Sequence, residues 1–190
     1  MMERLRSLAL ARLGALFALM TLAAALAATS VESAPSPLVG RWQTDRTCQG
    51  LLLALQKYGL ARLAPSVVGD YFPGKTPAQL MKKQNLCSGA KPQPHSHFFT
   101  ADGKFGSLDQ HSQQVDDGTY RLIAHATVRI NDGLFRFAVR GASLMLTPII
   151  TKTQKKLALA HPLKFSTAGW MVAVSYVGHT WRGVPCDRWC

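Results

Sequence analysis

The sequence predicts a mainly β fold: an antiparallel β-barrel, or strongly curved sheet, of about eight strands with a helical insert after the first strand. The main evidence is the stretch at residues 95–150, where apolar and polar residues alternate in short segments separated by turn residues. Alternation with a period of two is typical of half-buried strands. Short connections make successive strands antiparallel neighbours, so this stretch predicts an up-and-down meander of six strands.

Turn sequences within the stretch place its hairpins. Asp-Gly pairs occur at residues 102–103 and 132–133, and Asp116-Asp117-Gly118 forms a third such cluster. These residue types tolerate the positive φ angles of tight turns, so each cluster is expected to join two strands. Asp116 and Asp117 are therefore interpreted as turn residues rather than as a catalytic acid and base.

Upstream of the meander, residues 38–44 predict the first strand and the pattern then becomes helical. Leucines recur at helical spacing over residues 48–63, and a second short helix is expected through Val67 and Val68. A capping box with proline at the first helical position predicts a third helix over residues 77–84. Together these helices form an insert of about residues 48–85, whose apolar faces are expected to pack on one end of the barrel or sheet.

Downstream of the meander, residues 170–177 are apolar on both faces. This pattern suits a closing strand whose outer face is covered by a helix. Residues 152–160 are basic and then apolar, and His161-Pro162 ends whatever element they form.

The first 27 residues have the layout of a secretory signal peptide. Arg4 and Arg6 precede an apolar segment that ends in small residues. The rival interpretation is a membrane anchor, but Arg12 interrupts the apolar stretch, and the remainder is shorter than the ~20 residues that a spanning helix needs. We therefore expect cleavage near Ala27, with Ala34 as the alternative.

The predicted mature chain consists of a disordered lead-in over residues 28–37 and one domain over residues 38–190. The full chain has a net charge of +12 at pH 7, and loss of residues 1–27, with three arginines and one glutamate, would lower it to +10. Such an excess favours anionic surfaces. Nucleic acid is not an expected partner, because the basic residues are scattered and no aromatic-basic signature accompanies them.

Four cysteines in an exported chain favour two disulfides. Three connectivities are open: Cys48 can pair with Cys87 and leave Cys186 and Cys190 as a tight terminal loop, or one terminal cysteine can tie the C-terminal region back to the insert. Zinc is the rival use of four cysteines, but no two have Cys-x-x-Cys spacing.

Gly40-Arg41-Trp42 on the first strand, followed by an up-and-down meander and a late closing strand, resembles the lipocalin-like, or calycin, β-barrel superfamily. More narrowly, the segments HSHFFTADGKFGSLDQ and QVDDGTYRL are similar to those of uncharacterised secreted actinobacterial proteins. The resemblance covers residues 38–181. It implies an eight-stranded barrel with an apolar cavity for a small molecule, although the helical insert is longer than the superfamily's usual pattern.

Candidate site residues follow from that implied cavity. Phe135, Phe137 and Trp170 are expected either to line it or to fill a solid core. Arg129 and Arg136 supply cations that can meet a carboxylate or phosphate at its rim, as can two further arginines, Arg121 and Arg140.

Two histidines are the candidate metal ligands. His95 and His97 lie two apart on a predicted strand and so share a face, and either His111 or His179 could complete a site. Hydrogen-bonded histidines at a barrel end are the favoured alternative, because no carboxylate lies at ligand spacing.

We therefore expect a secreted, non-enzymatic module without cofactor that binds a small apolar or amphipathic molecule, which can be anionic, in a barrel cavity. The alternative is a ligandless, basic cell-envelope protein held by an anionic surface. A metal site or an enzyme built on the histidines is a third option.

Overall fold

Eight antiparallel strands form a closed barrel in the computed structural model, which describes residues 36–72, 82, 85–175 and 181–184. The strands follow chain order around the barrel, and the last pairs with both the seventh and the first. The predicted mainly β fold is therefore confirmed. The strands are β1 (Gly40–Arg46), β2 (Gln93–Phe99), β3 (Lys104–Leu108), β4 (Gln114–Ala124), β5 (Thr127–Ile130), β6 (Gly133–Arg140), β7 (Ser143–Pro148) and β8 (Trp181–Val184).

Strands β2–β7 are the six predicted meander strands, but one predicted turn is wrong. Asp116, Asp117 and Gly118 lie inside β4, and the β3–β4 connection occupies residues 109–113 instead. There the Asp109 carboxylate accepts hydrogen bonds from two backbone N–H groups. Gly118 is needed for close approach rather than for a turn, since a Cβ at this position would overlap the side chain of Asn131.

The insert after β1 begins with helix α1 (Cys48–Lys57), which Thr47 caps by accepting a hydrogen bond from the Gly50 N–H. The helix ends at Lys57 and Gly59 follows its cap residue with a φ of +64°, so the predicted helix over residues 48–63 is shorter than expected. A 3₁₀ turn (Ala61–Leu63) leads directly into α2 (Ala64–Tyr71), which confirms the second predicted helix.

Cys48 and Cys87 form a disulfide, with their Cα atoms 5.5 Å apart, so the first of the three connectivities is the one observed for these two residues. The bond joins the start of α1 to the segment that leads into β2 and thereby closes the insert. The predicted third helix, the predicted signal peptide, and Cys186 and Cys190 lie outside the described residues.

The predicted closing strand at residues 170–177 is wrong, because helix α4 (Thr167–Ser175) occupies most of this segment. An all-apolar segment can form a helix when every face is buried, and α4 has a partner on each side. Met171 and Val174 join the core of the barrel, whereas Val172 and Ala173 join a second core formed with α1 and α2. The barrel is closed by β8 instead.

Helix α3 (Lys152–Ala160) precedes α4 and starts with a capping box between Thr151 and Gln154. The connections after β1 and between β7 and β8 leave the same end of the barrel, so the four described α-helices cover one end, here called the helical end. The opposite, hairpin end carries the tight turns at residues 100–103, 125–126 and 141–142. No helix in the described part of the chain has the length and apolar character needed to cross a membrane.

The interior of the barrel contains a core of buried apolar side chains. Phe99, Phe105 and Phe135 are fully buried and dominate its volume. Trp42, from the Gly-x-Trp sequence, is buried there, and its Nε1 donates a 2.9 Å hydrogen bond to the Leu38 carbonyl.

Candidate functional site

A pocket of about 600 Å³ lies between the helical end of the barrel and the helices packed on it. Strands β1–β4 contribute one wall, and α2 and α4 contribute the other. Its position follows from the fold, since the inward-facing residues at these strand ends meet helices that do not fill the whole opening. A smaller pocket of about 190 Å³ adjoins it and shares Asp116, Phe165 and Trp170 with it.

Apolar side chains form much of the larger pocket. Val67 and Val174 are buried in its wall, and Trp170 is half-buried beside them. Two further apolar side chains are open to solvent, because Phe165 is 74% exposed and Val115 is 57% exposed. Large exposed apolar groups beside a pocket indicate a surface that a bound molecule would cover.

The guanidinium of Arg46 lies in the pocket wall although the residue is only 3% exposed. Trp42, Thr44 and Arg46 alternate along β1 and all point inward, which places the charge at the helical end. Its Nη2 donates a 3.3 Å hydrogen bond to the Ala173 carbonyl, and its central carbon lies 4.2 Å from the centroid of the Tyr71 ring. Burial raises the pKa of the Tyr71 hydroxyl, and the nearby Arg46 charge partly opposes that rise.

His97 is fully buried next to the pocket and is neutral. Its Nε2 lies 3.0 Å from the Val174 carbonyl and its Nδ1 lies 2.8 Å from the Ser107 hydroxyl. Because a carbonyl can only accept, Nε2 carries the proton and Nδ1 accepts from Ser107. Burial, with the Arg46 charge as a second cause, lowers the pKa of His97 to about 3.

His95 lines the pocket and its ring meets that of His97 edge-on, with centroids 5.0 Å apart. Burial, followed by electrostatic interactions with Arg46 and then with the ring of His97, lowers its pKa well below the ordinary value. The expected pairing of the two histidines on one face is thus present, but both ring nitrogens of His97 are engaged by protein groups. Among the described residues, no three His, Cys, Asp or Glu side chains are grouped as a metal site.

Three carboxylates line the larger pocket: Asp70, Asp109 and Asp116. Asp116 Oδ2 accepts a 2.9 Å hydrogen bond from Trp170 Nε1. Burial raises the pKa of Asp116, although the hydrogen bond from Trp170 acts in the opposite direction. Burial also raises the pKa of Asp70.

The structure places the candidate ligand-binding residues in three different environments. Phe135 is fully buried in the barrel core with Phe137 packed against that core, and the ring of Phe135 lies 6.1 Å from that of Trp170. Trp170 alone of the five lines the pocket. Arg129 and Arg136 lie on the outer face of the barrel, since they alternate with the inward-facing residues of β5 and β6.

The pocket residues that sequence reasoning missed are Arg46, Asp116, Tyr71 and Phe165. The inward position of Arg46 could have been predicted from the sequence, because Arg46 continues the alternation of the first strand on its buried face. Nothing in the sequence indicated the other three, since their proximity depends on how the helices pack.

Comparison with known proteins gave no match to this chain, whether with protein-family models, with curated protein sequences or with solved structures.

Proposed function

We propose that this protein is a non-enzymatic binding module that holds a small amphipathic molecule in the pocket at the helical end of its barrel. The observation that carries the proposal is the combination of a preformed volume of about 600 Å³ with exposed apolar side chains at its edge. Small-molecule sites typically have volumes of about 300–1,000 Å³ and mostly apolar walls with a few placed polar groups.

The polar groups suggest how the ligand would be oriented. Its apolar part would cover Phe165, Val115 and Trp170, which are apolar or aromatic residues of the pocket lining. Its hydrogen-bond-accepting or anionic end would face Arg46, whose guanidinium is held in place by the Tyr71 ring and the Ala173 carbonyl. This arrangement retains the expected amphipathic ligand but moves it from the barrel interior to the barrel end.

An extracytoplasmic location belongs to the same proposal. The Cys48–Cys87 disulfide supports it, because disulfides persist in oxidising compartments. The expected signal peptide over residues 1–27 would provide the export signal. Kinship with the lipocalin-like superfamily is likewise a proposal, supported by the up-and-down barrel and by the buried Trp42 at its first strand.

Titration of the purified protein with a fluorescent fatty acid, cis-parinaric acid, tests the function. We expect saturable binding that persists when the salt concentration is raised, because apolar burial in a pocket is not screened as surface charge is. Phe165→Ala should weaken binding about fivefold, which corresponds to ~1 kcal/mol of lost apolar contact.

The matched control is Leu157→Ala, which removes another strongly exposed apolar side chain (64%) on α3, outside the pocket lining. It should bind the probe as the unmodified protein does. The proposal fails if the unmodified protein shows no saturable binding, or if the two variants weaken it equally.

A further inference from the structure

Four arginines lie on the outer face of β4–β6 and line neither pocket. Arg121 lies directly opposite Arg129 in the β4–β5 register, and Arg129 is one diagonal step from Arg136, which pairs with Thr127. Arg140 ends β6 at the hairpin end of the barrel. Direct cross-strand neighbours have Cβ atoms about 4.5–5.5 Å apart and diagonal ones about 7–8 Å, so Arg121, Arg129 and Arg136 form one continuous patch. Arg140 lies on the same outer side, four residues along β6 from Arg136. The four arginines are here called the arginine face.

Among the described residues, no carboxylate forms an ion pair with an arginine of the arginine face. The ion pair found in that part of the chain joins Lys104 to Asp102 and involves none of the four arginines. Like charges placed directly opposite each other on neighbouring strands are destabilising, so the Arg121–Arg129 pair is a cost to the fold. An anionic partner bound to the arginine face would offset the repulsion between these two arginines.

Exposed apolar side chains adjoin the arginines. Leu122 and Ile123 follow Arg121 near the end of β4, close to the β4–β5 turn. Their side chains point to opposite sides of the strand, and each residue is 45% exposed. Met145, also 45% exposed, pairs with Ala138 between Arg136 and Arg140 on the same outer surface. The β4–β5 hairpin therefore ends in an apolar tip flanked by guanidinium groups.

We propose that the arginine face and the tip of the β4–β5 hairpin dock on an anionic phospholipid bilayer. Guanidinium groups bind phosphate oxygens through paired N–H donors. Apolar side chains next to them can enter the boundary between headgroups and acyl chains, as they do in proteins that lie on a membrane surface. A soluble polyanion would use the arginines but would leave Leu122, Ile123 and Met145 in water, so the apolar tip favours a bilayer.

This docking is independent of the proposed ligand pocket. The pocket lies at the helical end of the barrel, whereas the hairpin turn at residues 125–126 lies at the opposite end. The docked hairpin tip and the pocket would therefore lie at opposite ends of the barrel.

Vesicle co-sedimentation tests the proposal with two compositions, pure phosphatidylcholine and phosphatidylcholine with 30% phosphatidylglycerol. The full protein should sediment only with the anionic vesicles. Arg121→Gln combined with Arg136→Gln removes two exposed charges and should weaken binding about 30-fold. The matched control, Lys152→Gln with Lys156→Gln on α3, removes the same net charge from exposed positions elsewhere and should retain most of the binding.

A second variant separates a bilayer from a soluble polyanion. Leu122→Ser with Ile123→Ser should weaken binding to the anionic vesicles at least fivefold while leaving binding to heparin, used as the soluble polyanion, unchanged. The proposal is overturned if the unmodified protein does not sediment with the anionic vesicles, or if the double arginine and double lysine substitutions weaken binding equally. It is also overturned in favour of a soluble polyanion if the serine variant binds vesicles as tightly as the unmodified protein.

Discussion

The indole Nε1 of Trp170 donates a 2.9 Å hydrogen bond to Oδ2 of Asp116 and so joins helix α4 to strand β4 in the pocket wall. The pKa of this carboxyl is nevertheless raised, because its burial outweighs the hydrogen bond. A raised pKa means that the folded state holds the proton more tightly than the unfolded state does. The resulting stabilisation is present below the unfolded pKa of 3.8 and is lost as the pH rises through the folded value.

Asp116→Asn should therefore increase the free energy of unfolding at pH 7, because the amide oxygen can still accept from Trp170 and no buried charge remains. The difference from the unmodified protein should shrink as the pH falls through the folded pKa and should have largely vanished below 3.8. Urea unfolding at pH 3.5 and pH 7 measures it, with Asp117→Asn at the neighbouring exposed residue as the control. A difference that does not depend on pH would contradict the role given to burial.

Acid should destabilise the protein through its buried histidines. The pKa of His97 falls to about 3 in the folded state against an ordinary value of 6.5, so the unfolded state binds the proton first as the pH is lowered. The free energy of unfolding should fall between pH 6.5 and pH 3, with a slope approaching ~1.4 kcal/mol per pH unit for each such histidine. The pKa of His95 is shifted in the same direction and should add to the slope.

His97→Gln should lower stability at pH 7 and make the acid dependence shallower, because one buried titrating group is lost. As the control, His111→Gln at an exposed position should leave the dependence of the free energy of unfolding on pH unchanged. Urea unfolding at half-unit pH steps provides the measurement. Parallel curves for the unmodified protein and His97→Gln would show that His97 is not a source of the acid sensitivity.

The Cys48–Cys87 bond should contribute measurably to stability, since it joins residues 39 positions apart. Closing a loop of this length removes conformational entropy from the unfolded chain worth ~4 kcal/mol in the chain-entropy model. Cys48→Ser with Cys87→Ser should lower the urea midpoint accordingly. Mass measurement after alkylation without reductant should detect no free thiol at these two positions; alkylation of both in natively purified protein would contradict the bond.

Gly106 on β3 should not tolerate a side chain. It pairs with Phe98 on β2, and a Cβ at Gly106 would overlap the Phe98 ring. Gly106→Ala should therefore destabilise the protein by about 1–3 kcal/mol, the usual cost of overpacking. Phe98→Leu, which shortens the neighbouring side chain, should make the same substitution less costly. Additive effects in this double-mutant cycle would argue against the contact.

The meander could be predicted from the sequence because its signals are local. Alternation along β5 and β6 and the Asn131-Asp132-Gly133 turn place these strands without knowledge of any distant residue. Asp116-Asp117-Gly118 has the composition of a turn, but its glycine accommodates the Asn131 side chain. The need for glycine at position 118 comes from Asn131, which lies beyond the end of the neighbouring strand β5. Local composition therefore led to the wrong prediction of a turn at residues 116–118.

Helix α4 could not be predicted for a related reason. Periodicity distinguishes a helix from a strand only when one face is exposed, and residues 171–175 are buried on every side. The pocket depends on this helix, because Trp170 and Val174 form part of its wall. Arg129 and Arg136 were predicted to reach the rim of a cavity, but both lie on the outer face of the barrel. The alternation of apolar and polar residues along β5 and β6 already indicated this outward orientation.

The pairing of β1 with β8 has a consequence for how the chain acquires its structure. Gln43 pairs with Arg182, so the first strand lacks one neighbour until nearly all of the described chain has been synthesised. A nascent chain held in the ribosome up to β8 would keep an open edge on β1 and on β7. Barrel closure therefore requires β8, and contacts between such distant parts of the chain favour slow folding.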